Sequence, residues 1–366
     1  MARGAGDLLE QQDDGLTTFH PPRAAVQVPA ALPPGDDVGR ADIDQAAVLA
    51  RGREVVRLEA EALTALGETL DADFAAACHI LLTAARRVVV TGMGKSGHIA
   101  RKIAATLAAT GTPALFLHPA EAAHGDLGMM MPGDVLLVLS NSGNTAELRA
   151  VLTYARNLGI RIIGIVSRRE SLVNDHAEIV LCLPAIREAC AANVAPTTST
   201  TMQLAMGDAL AMAVMDLRGI SSTQMRALHP AGTIGLRLSP IAELMHGRDE
   251  LPLVTPGAGM QEVISVITTR RFGLAGVVDS RGELVGVITD GDIRRNFAHL
   301  ATATAADVMT RSPRSIPADM LAGDALLFLN DAKITAAFVV NRLDAVHPAR
   351  PVGVVHIHDL LKHGLG

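Results

Sequence analysis

Residues 87–98, RVVVTGMGKSGH, decide the fold. The β-branched run Arg87–Thr91 predicts a buried strand, because such side chains suit a pleated surface. The glycines that follow break the strand and lead into apolar residues at helical spacing, which predicts a helix over Ser96–Thr110. A strand that passes through a glycine turn into a helix is the first half of a βαβ unit.

The same alternation of strands and helices continues as far as residue 218. Parallel strands joined by helices form a doubly wound sheet with right-handed crossovers. We therefore predict an α/β domain with a five-stranded parallel sheet, in which ligands bind at the carboxyl ends of the strands. The further predicted strands are Ala114–His118, Val135–Ser140, Arg161–Ser167 and Ile179–Pro184, and the further predicted helices span roughly residues 146–158 and 199–218.

An internal repeat follows the α/β region. Two short motifs occur twice: Glu243-Leu-Met245 returns as Asp307-Val-Met309, and Leu284-Val-Gly-Val-Ile288 returns as Pro351-Val-Gly-Val-Val355. Each copy is patterned as strand, helix, strand, strand, helix and is too small to be stable alone, so we expect a packed pair of small α+β modules. The predicted divisions are a disordered tail at 1–42, the α/β domain at 43–238, and modules at 239–303 and 304–366.

Composition argues against several classes of function. The formal net charge is −6, whereas surfaces that bind nucleic acid are basic. Apolar stretches are short or interrupted by acids, as in Leu204–Leu217, and do not reach the roughly 20 apolar residues of a membrane span. The three cysteines lack Cys-x-x-Cys spacing and are expected to be reduced. We expect a soluble, cytoplasmic protein that binds neither nucleic acid nor a membrane.

Two loops have the character of anion sites. The first formally fits G-x-G-x-x-G, but no acid follows Leu117-His118 to hold a dinucleotide ribose, and Val89 replaces the first glycine of a Walker A loop. A helix N-terminus beside Lys95 still suits an anion, with a structural turn and a solvated lysine as the alternative. The second loop, Ser140-Asn-Ser-Gly-Asn-Thr145, predicts a phosphate cradle, although N-capping alone would also account for its hydroxyls.

Acid–base candidates lie in loops at the predicted ligand-facing edge. Histidines and carboxylates can exchange protons near neutral pH, although most such side chains are solvated or cap helices. The spacing of His118 and His124 also suggests zinc, but neither an H-E-x-x-H motif nor a cysteine companion supports a catalytic metal. The candidates are His118, Glu121, His124, Glu147, Glu188 and His229.

In this order the motifs resemble those of D-arabinose 5-phosphate isomerases, which have a sugar isomerase (SIS) domain followed by two cystathionine-β-synthase (CBS) modules. The resemblance also rests on His118–Gly128, Ala195–Thr201, Met206–Leu210 and His229-Pro230, and Gly286–Asp292 resembles the CBS nucleotide-ribose signature. It implies interconversion of D-ribulose 5-phosphate and D-arabinose 5-phosphate with no required cofactor, feeding 3-deoxy-D-manno-octulosonate for lipopolysaccharide synthesis. It further implies a homotetramer, with a nucleotide or sugar-nucleotide at the CBS pair.

The resemblance also implies roles for individual residues. His118 matches a position that can hold zinc without driving turnover, and Asn144 replaces a commonly acidic residue. Thr289 and Asp292 match the nucleotide-ribose site, and Asp359 matches Asp292 in the second module, where His356 replaces the threonine. The catalytic positions that the resemblance implies are Lys95, Glu147, Glu188 and His229, and the substrate contacts that it implies are Gly111, Thr112, His118 and His124. From the chemistry of the two loops we add a phosphate grip of Ser96, Ser140, Ser142 and Thr145.

Aldose–ketose isomerisation needs a base for a carbon-bound proton, a donor for the developing oxyanion, and exclusion of water. We expect Glu188 or Glu147 to be the base, with a pKa raised by partial burial. Lys95 would neutralise phosphate or polarise an oxygen, and His229 would open the sugar or move protons between oxygens. The alternatives are another SIS-domain sugar-phosphate isomerase and a non-catalytic sugar-phosphate or nucleotide sensor.

Overall fold

The structure is a computed structural model that describes residues 44–341, 344, 346–347 and 349–365. The predicted tail at 1–42 lies outside the described residues. The chain divides into two compact units, Met1–Glu54 and Val55–Gly366. The described part of the first unit holds the beginning of the first helix, and the second unit holds the α/β domain and both repeats.

The α/β domain contains the predicted five-stranded sheet. Its strand order is β2-β1-β3-β4-β5, and every neighbouring pair is parallel. The central strands β1 and β3 are buried along their whole length, as expected for continuous aliphatic runs covered on both faces. The predicted fold class is therefore confirmed. The strands are β1 (Val88–Gly92), β2 (Ala114–Leu117), β3 (Val135–Leu139), β4 (Arg161–Val166) and β5 (Ile179–Cys182).

Helices cover both faces of this sheet, and two of them, α3 and α7, pack closely against each other. A Cβ added at Gly207 of α7 would lie 2.2 Å from Cδ1 of Ile103 in α3, so only glycine allows this approach. The helices are α1 (Gln45–Glu68), α2 (Ala72–Leu82), α3 (Gly94–Ala109), α4 (Pro119–Ala122), α5 (Leu148–Asn157), α6 (Leu172–His176), α7 (Thr198–Arg218), α8 (Ser222–Leu228) and α9 (Thr233–Arg237).

The two repeats form two further sheets and follow the predicted order of elements. The first sheet has the order β6-β7-β8-β9 and the second the order β10-β11-β12. The strands of the first sheet and the helices between them are β6 (Leu253–Val254), α10 (Met260–Arg270), β7 (Leu274–Val278), β8 (Leu284–Thr289), α11 (Asp290–Arg295), α12 (Ala305–Val308) and β9 (Thr310–Arg311). Those of the second are β10 (Ser315–Pro317), α13 (Ala322–Asp331), β11 (Ala336–Val340), β12 (Pro351–His356) and α14 (Ile357–Lys362).

The short helices between residues 219 and 238 were not predicted. α8 does carry a sequence signal, a capping box in which Ser221 and Gln224 satisfy each other's backbone N–H groups. Among the described residues, no helix is both long enough and apolar enough to cross a membrane. The exact domain boundaries stay predictions.

Candidate active site

The first loop of the site joins β1 to α3. A Cβ at Gly97 would lie 2.5 Å from the carbonyl oxygen of Gly92, so the missing side chain lets the helix start directly against the strand end. Gly94 has φ +58, a left-handed conformation that favours glycine. This turn presents Lys95, the second residue of α3, to solvent, and leaves Ser96 partly exposed. The geometry fits an anion at a helix N-terminus.

The second loop joins β3 to α5 and leaves the sheet next to the first. β1 pairs with β3 so that Gly92 lies opposite Leu139, and the two loops begin at those residues. Within the second loop, Ser140 Oγ lies 2.9 Å from Thr145 Oγ1, and the Asn144 N–H donates to Ser142 Oγ at 3.2 Å. The hydroxyls of this loop thus lie together, and phosphate binding by them stays a prediction.

Two further contacts hold this second loop against the next helix. Asn144 Oδ1 accepts a hydrogen bond of 2.8 Å from the N–H of Leu172, the first residue of α6. Gly143 has φ +71, and a Cβ there would lie 2.3 Å from Ser171 Oγ. Asn144 therefore serves as an acceptor for a helix N-terminus.

Glu147 immediately follows the hydroxyl loop. It is exposed, lies just before α5, and makes no side-chain capping bond to that helix. Because Glu147 lies at the carboxyl edge of the sheet and its carboxylate is exposed there, it can approach a ligand held by the hydroxyl loop.

Glu188 lies in a very different environment, between β5 and α7. It is only 8% exposed, and its Oε2 accepts hydrogen bonds from the Thr197 N–H at 2.8 Å and the Ser199 N–H at 3.2 Å. Its Oε1 accepts from the Ser199 hydroxyl. Burial raises the pKa of Glu188, but the hydrogen bonds from Ser199 and Thr197 lower it by more, so its carboxyl titrates below the usual range. The expectation of a raised pKa was wrong for this residue, because sequence did not show that the first turn of α7 would surround the carboxylate.

The histidines of the β2–α4 region lie at the same edge. His118 follows β2, and its Nδ1 is buried without a hydrogen-bond partner in the part of the chain that the structure describes. His124 is exposed in the turn after α4. No group of three or more His, Cys, Asp or Glu side chains among the described residues could hold a metal ion. The donors of one chain therefore do not fit the closed zinc site that the orphaned His118 nitrogen alone would suggest.

His229, Gly111 and Thr112 are not at this edge within one chain. His229 Nε2 lies 3.0 Å from the carbonyl oxygen of Ala109, the last residue of α3, whereas Lys95 is near the first. At 1.5 Å per residue, the two ends of α3 are about 21 Å apart. Gly111 and Thr112 follow α3 directly and share the far end. The expected placement of His229 at the ligand-facing edge was wrong for a single chain, because His229 contacts the C-terminal end of α3 and the ligand-facing edge is at its N-terminal end.

The paired repeats form a separate cleft of about 790 Å³. Arg294, Arg295, Arg314 and Lys333 line it together with Thr289 and Asp292. Asp292 accepts hydrogen bonds from Thr289 Oγ1 at 2.6 Å and from Arg295 Nη2 at 2.6 Å. Burial raises the pKa of Asp292, but these bonds lower it by more. The cleft combines a fixed carboxylate with several cations, which suits a phosphorylated ligand.

The corresponding position of the second repeat has different partners. Asp359 Oδ2 lies 3.0 Å from His246 Nε2, and the other ring nitrogen of His246 lies 3.0 Å from Glu250 Oε2. Burial lowers the pKa of His246, but the hydrogen bonds to Asp359 and Glu250 raise it by more. Sequence reasoning did not single out His246, because Asp359, one of its two partners, lies 113 residues away in the second repeat.

Known proteins resemble the chain along most of its length. The SIS domain family matches residues 81–213, and the CBS domain family matches residues 241–299 and 305–366. Arabinose 5-phosphate isomerase KdsD of Pseudomonas aeruginosa is 42% identical over 317 residues, which cover 86% of this chain and 96% of that protein. KdsD of Escherichia coli K12 is 39% identical over 318 residues, covering 86% and 95%. A solved structure of an E. coli CFT073 protein in complex with A5P is 35% identical, with a TM-score of 0.48, over 51% of this chain and 100% of that chain.

Proposed function

The chain belongs to the arabinose 5-phosphate isomerase family and interconverts D-ribulose 5-phosphate and D-arabinose 5-phosphate, and we propose how its own residues carry out that reaction. The observation that carries the proposal is the pair of neighbouring loops at the carboxyl edge, which begin opposite each other at Gly92 and Leu139. One loop supplies a lysine at a helix N-terminus, and the other supplies small hydroxyls.

The hydroxyl loop grips the phosphate. Ser140, Ser142 and Thr145 cluster their hydroxyls in the loop that leads into α5, where the N-terminus of that helix favours a dianion without a metal for charge balance. Ser96 adds a further hydroxyl from the neighbouring loop. This grip, remote from C1 and C2, fixes the reacting end of the open-chain sugar.

Lys95 acts on the developing negative charge. Lys95 is the second residue of α3, whose preceding loop begins opposite the hydroxyl loop, and its ammonium group stabilises either the phosphate or the enediolate oxygen. A carboxylate at the same edge removes the carbon-bound proton. We propose that no metal is required, and no step here passes through one.

The histidine comes from a second copy of the chain. A side chain about 21 Å from Lys95 cannot reach the same five-carbon molecule within one chain. Leu228 and Ile234, which flank His229 on α8 and α9, are 45% and 50% exposed, an apolar surface that a neighbouring chain can cover. We assign Gly111, Thr112 and His229 to the active site of a neighbouring copy in a homotetramer.

The CBS pair binds a phosphorylated regulator, a nucleotide or sugar-nucleotide, in the cleft that Arg294, Arg314 and Lys333 line. Thr289 and Asp292 of the first repeat contact its ribose. The place of the isomerase in the cytoplasmic supply of 3-deoxy-D-manno-octulosonate for lipopolysaccharide is the metabolic role that we propose.

An NMR time course with D-ribulose 5-phosphate tests both substrate and cofactor. We expect D-arabinose 5-phosphate to accumulate at the same rate in buffer with EDTA as in buffer without it. A rate that collapses in EDTA and returns with zinc would contradict the metal-free proposal, and turnover of a hexulose phosphate alone would contradict the substrate.

Mixing of inactive variants tests the shared site. Lys95→Ala and His229→Ala are each expected to be inactive alone. If one active site takes its lysine and histidine from different chains, co-refolding at equal amounts restores about a quarter of the sites. A site contained in one chain would give no recovery, and light scattering on the same samples gives the oligomeric state.

A further inference from the structure

We propose that Glu188 is a positioning residue that holds the first turn of α7, and that Glu147 is the carboxylate that removes the carbon-bound proton. The inference rests on the proposed function, which requires one carbon base at the carboxyl edge of the sheet but leaves two glutamates to supply it. The geometry around the two carboxylates separates them.

Both oxygens of Glu188 are already in use. Oε2 accepts from the Thr197 N–H at 2.8 Å, from Thr197 Oγ1 at 3.2 Å and from the Ser199 N–H at 3.2 Å, and Oε1 accepts from Ser199 Oγ. Each carboxylate oxygen offers about two lone-pair sites, so the three donors on Oε2 leave none there, whereas Oε1 keeps one beside the Ser199 hydroxyl. A substrate could therefore reach only Oε1, on a residue that is just 8% exposed and is held against the first turn of α7.

The position of Glu188 also favours its charged form. The carboxylate caps the N-terminus of α7, a helix of 21 residues, where unpaired N–H groups and the helix dipole together favour an anion. Protonating Glu188 would cost both this interaction and its charge-assisted hydrogen bonds. The lowered pKa of Glu188 agrees with this arrangement. Such a carboxylate is a weak base and a strong anchor.

The anchor organises the whole segment that leads into α7. The backbone N–H of Glu188 donates to Asn193 Oδ1 at 2.6 Å, and the N–H of Ala189 donates to Thr197 Oγ1 at 2.8 Å. The carboxylate thus closes a loop of residues 188–199 against the first turn of the helix. Because α7 packs on α3 through Gly207 and Ile103, this anchor also fixes the segment relative to the helix that carries Lys95.

Glu147 has the opposite character. It is exposed, directly follows the hydroxyl loop that grips the phosphate, and makes no capping bond to α5. Its carboxylate can therefore move toward C1 of a pentose whose phosphate is bound by Ser140 and Thr145, without breaking a structural bond.

The chemical step balances without a co-reactant. Glu147 takes the proton from C1 of the ketose, the C–H electron pair forms the C1–C2 double bond, and the oxygen on C2 gains a proton. The proton that O2 gains is matched by the hydroxyl proton that O1 loses, and return of the first proton from Glu147 to C2 gives the aldose with no proton left over.

Three substitutions test the assignment: Glu147→Gln, Glu188→Gln and Glu188→Ala. We expect Glu147→Gln to keep its thermal midpoint and to lose about 10²–10⁴-fold in kcat and in deuterium incorporation from D₂O, as for loss of a general base. Glu188→Ala is expected to lower the thermal midpoint and raise KM. Glu188→Gln should recover most of the thermal midpoint and most of the KM, because its amide oxygen still accepts from α7 and the Ser199 hydroxyl can rotate to accept from its NH₂ group. Its kcat should fall less than about tenfold.

The opposite pattern would overturn the proposal. If Glu188→Gln were folded and stable yet lost a hundredfold or more in deuterium incorporation, Glu188 would be the base. If Glu147→Gln kept its deuterium incorporation, Glu147 would not be the base that removes the carbon-bound proton. Failure of the proposed function is recognised separately, because the wild-type protein would then make no arabinose 5-phosphate. The thermal midpoints of the two Glu188 variants test the anchoring role of Glu188 without any substrate.

Discussion

Replacing Gly207 with alanine tests whether the close approach of α3 and α7 holds the catalytic edge together. In isolation, alanine in a helix interior is more stable than glycine by about 1 kcal/mol. Here the new Cβ would lie 2.2 Å from Ile103 Cδ1 and 2.3 Å from Cγ1, so the side chain of Ile103 or the helix must move. Overpacking of this kind costs about 1–3 kcal/mol, which leaves a net loss of about 1 kcal/mol.

The same substitution should change sign in a background that removes the clash. Ile103→Ala alone creates a cavity in a fully buried position and should cost about 2–5 kcal/mol. In that background Gly207→Ala fills part of the cavity and keeps its helix-propensity gain, so it should stabilise by about 1 kcal/mol. The coupling between the two positions is then about 2 kcal/mol.

The chain provides its own local probe for this experiment. It has no tryptophan and a single tyrosine, Tyr154, which lies in α5 and packs against the core of the α/β domain. Tyrosine fluorescence during urea unfolding, at fixed protein concentration, therefore reports on that domain alone. Gly52→Ala is the matched control, because Gly52 lies inside α1 with no atom within 4 Å of its added Cβ.

Two results would refute this reasoning. If Gly207→Ala were at least as stable as the wild type, Ile103 would not fill the space above Gly207. If its effect were equal in both backgrounds, the two side chains would not be in contact. The control should be neutral or stabilising in both.

Three further predictions follow from hydrogen bonds and pKa shifts. Backbone N–H groups of the 194–195 segment donate to the Cys190 thiol and lower its pKa, whereas burial raises the pKa of Cys78. Iodoacetamide should therefore label Cys190 before Cys78 at pH 7.5, as measured by peptide mass spectrometry. Because the pKa of His246 is raised in the folded protein, its bond to Asp359 stabilises fully below the unfolded-state pKa of about 6.5. This stabilisation is lost as the pH rises through the higher folded-state pKa. The difference in unfolding free energy between wild type and His246→Gln, measured by calorimetry, should therefore shrink over that pH window. Asn144→Ala should lose about 1 kcal/mol by tyrosine fluorescence, and Asn144→Asp should keep it, because only the second retains an acceptor for the α6 N-terminus.

Each of these has a clear contrary outcome. Equal labelling of the two cysteines in the folded protein would remove the basis for a perturbed Cys190 thiol. A His246→Gln difference that grew with pH would reverse the sign of the linkage. Equal stability of both Asn144 variants would show that the loop does not depend on that acceptor.

The strands and both anion loops were predictable because each depends on a short stretch of sequence. A β-branched run such as Val88–Thr91 and the glycines after it specify a strand and a turn locally. Parallel strands bring their carboxyl ends to one edge, so the loops at Lys95 and Ser140 were expected to be neighbours, and β1 and β3 do pair directly.

The roles of Glu188 and His229 were not predictable in the same way. The donors to Glu188 come from residues 197–199, and their position depends on how the segment after β5 folds back onto its own helix. Whether His229 lies near the N-terminal or the C-terminal end of α3 depends on the length of α3 and on the path of α8.

The sequence by itself determined the order of elements, the parallel sheet, the repeated modules and the residue types at the catalytic edge, because these follow from local periodicity and from turn chemistry. Only the tertiary structure decided which carboxylate is enclosed by hydrogen-bond donors and which is free, and that one histidine lies a helix length away from the lysine. The physical reason is that basicity and reach depend on surroundings in space. Those surroundings come from segments that are distant in the chain and meet only when the helices pack.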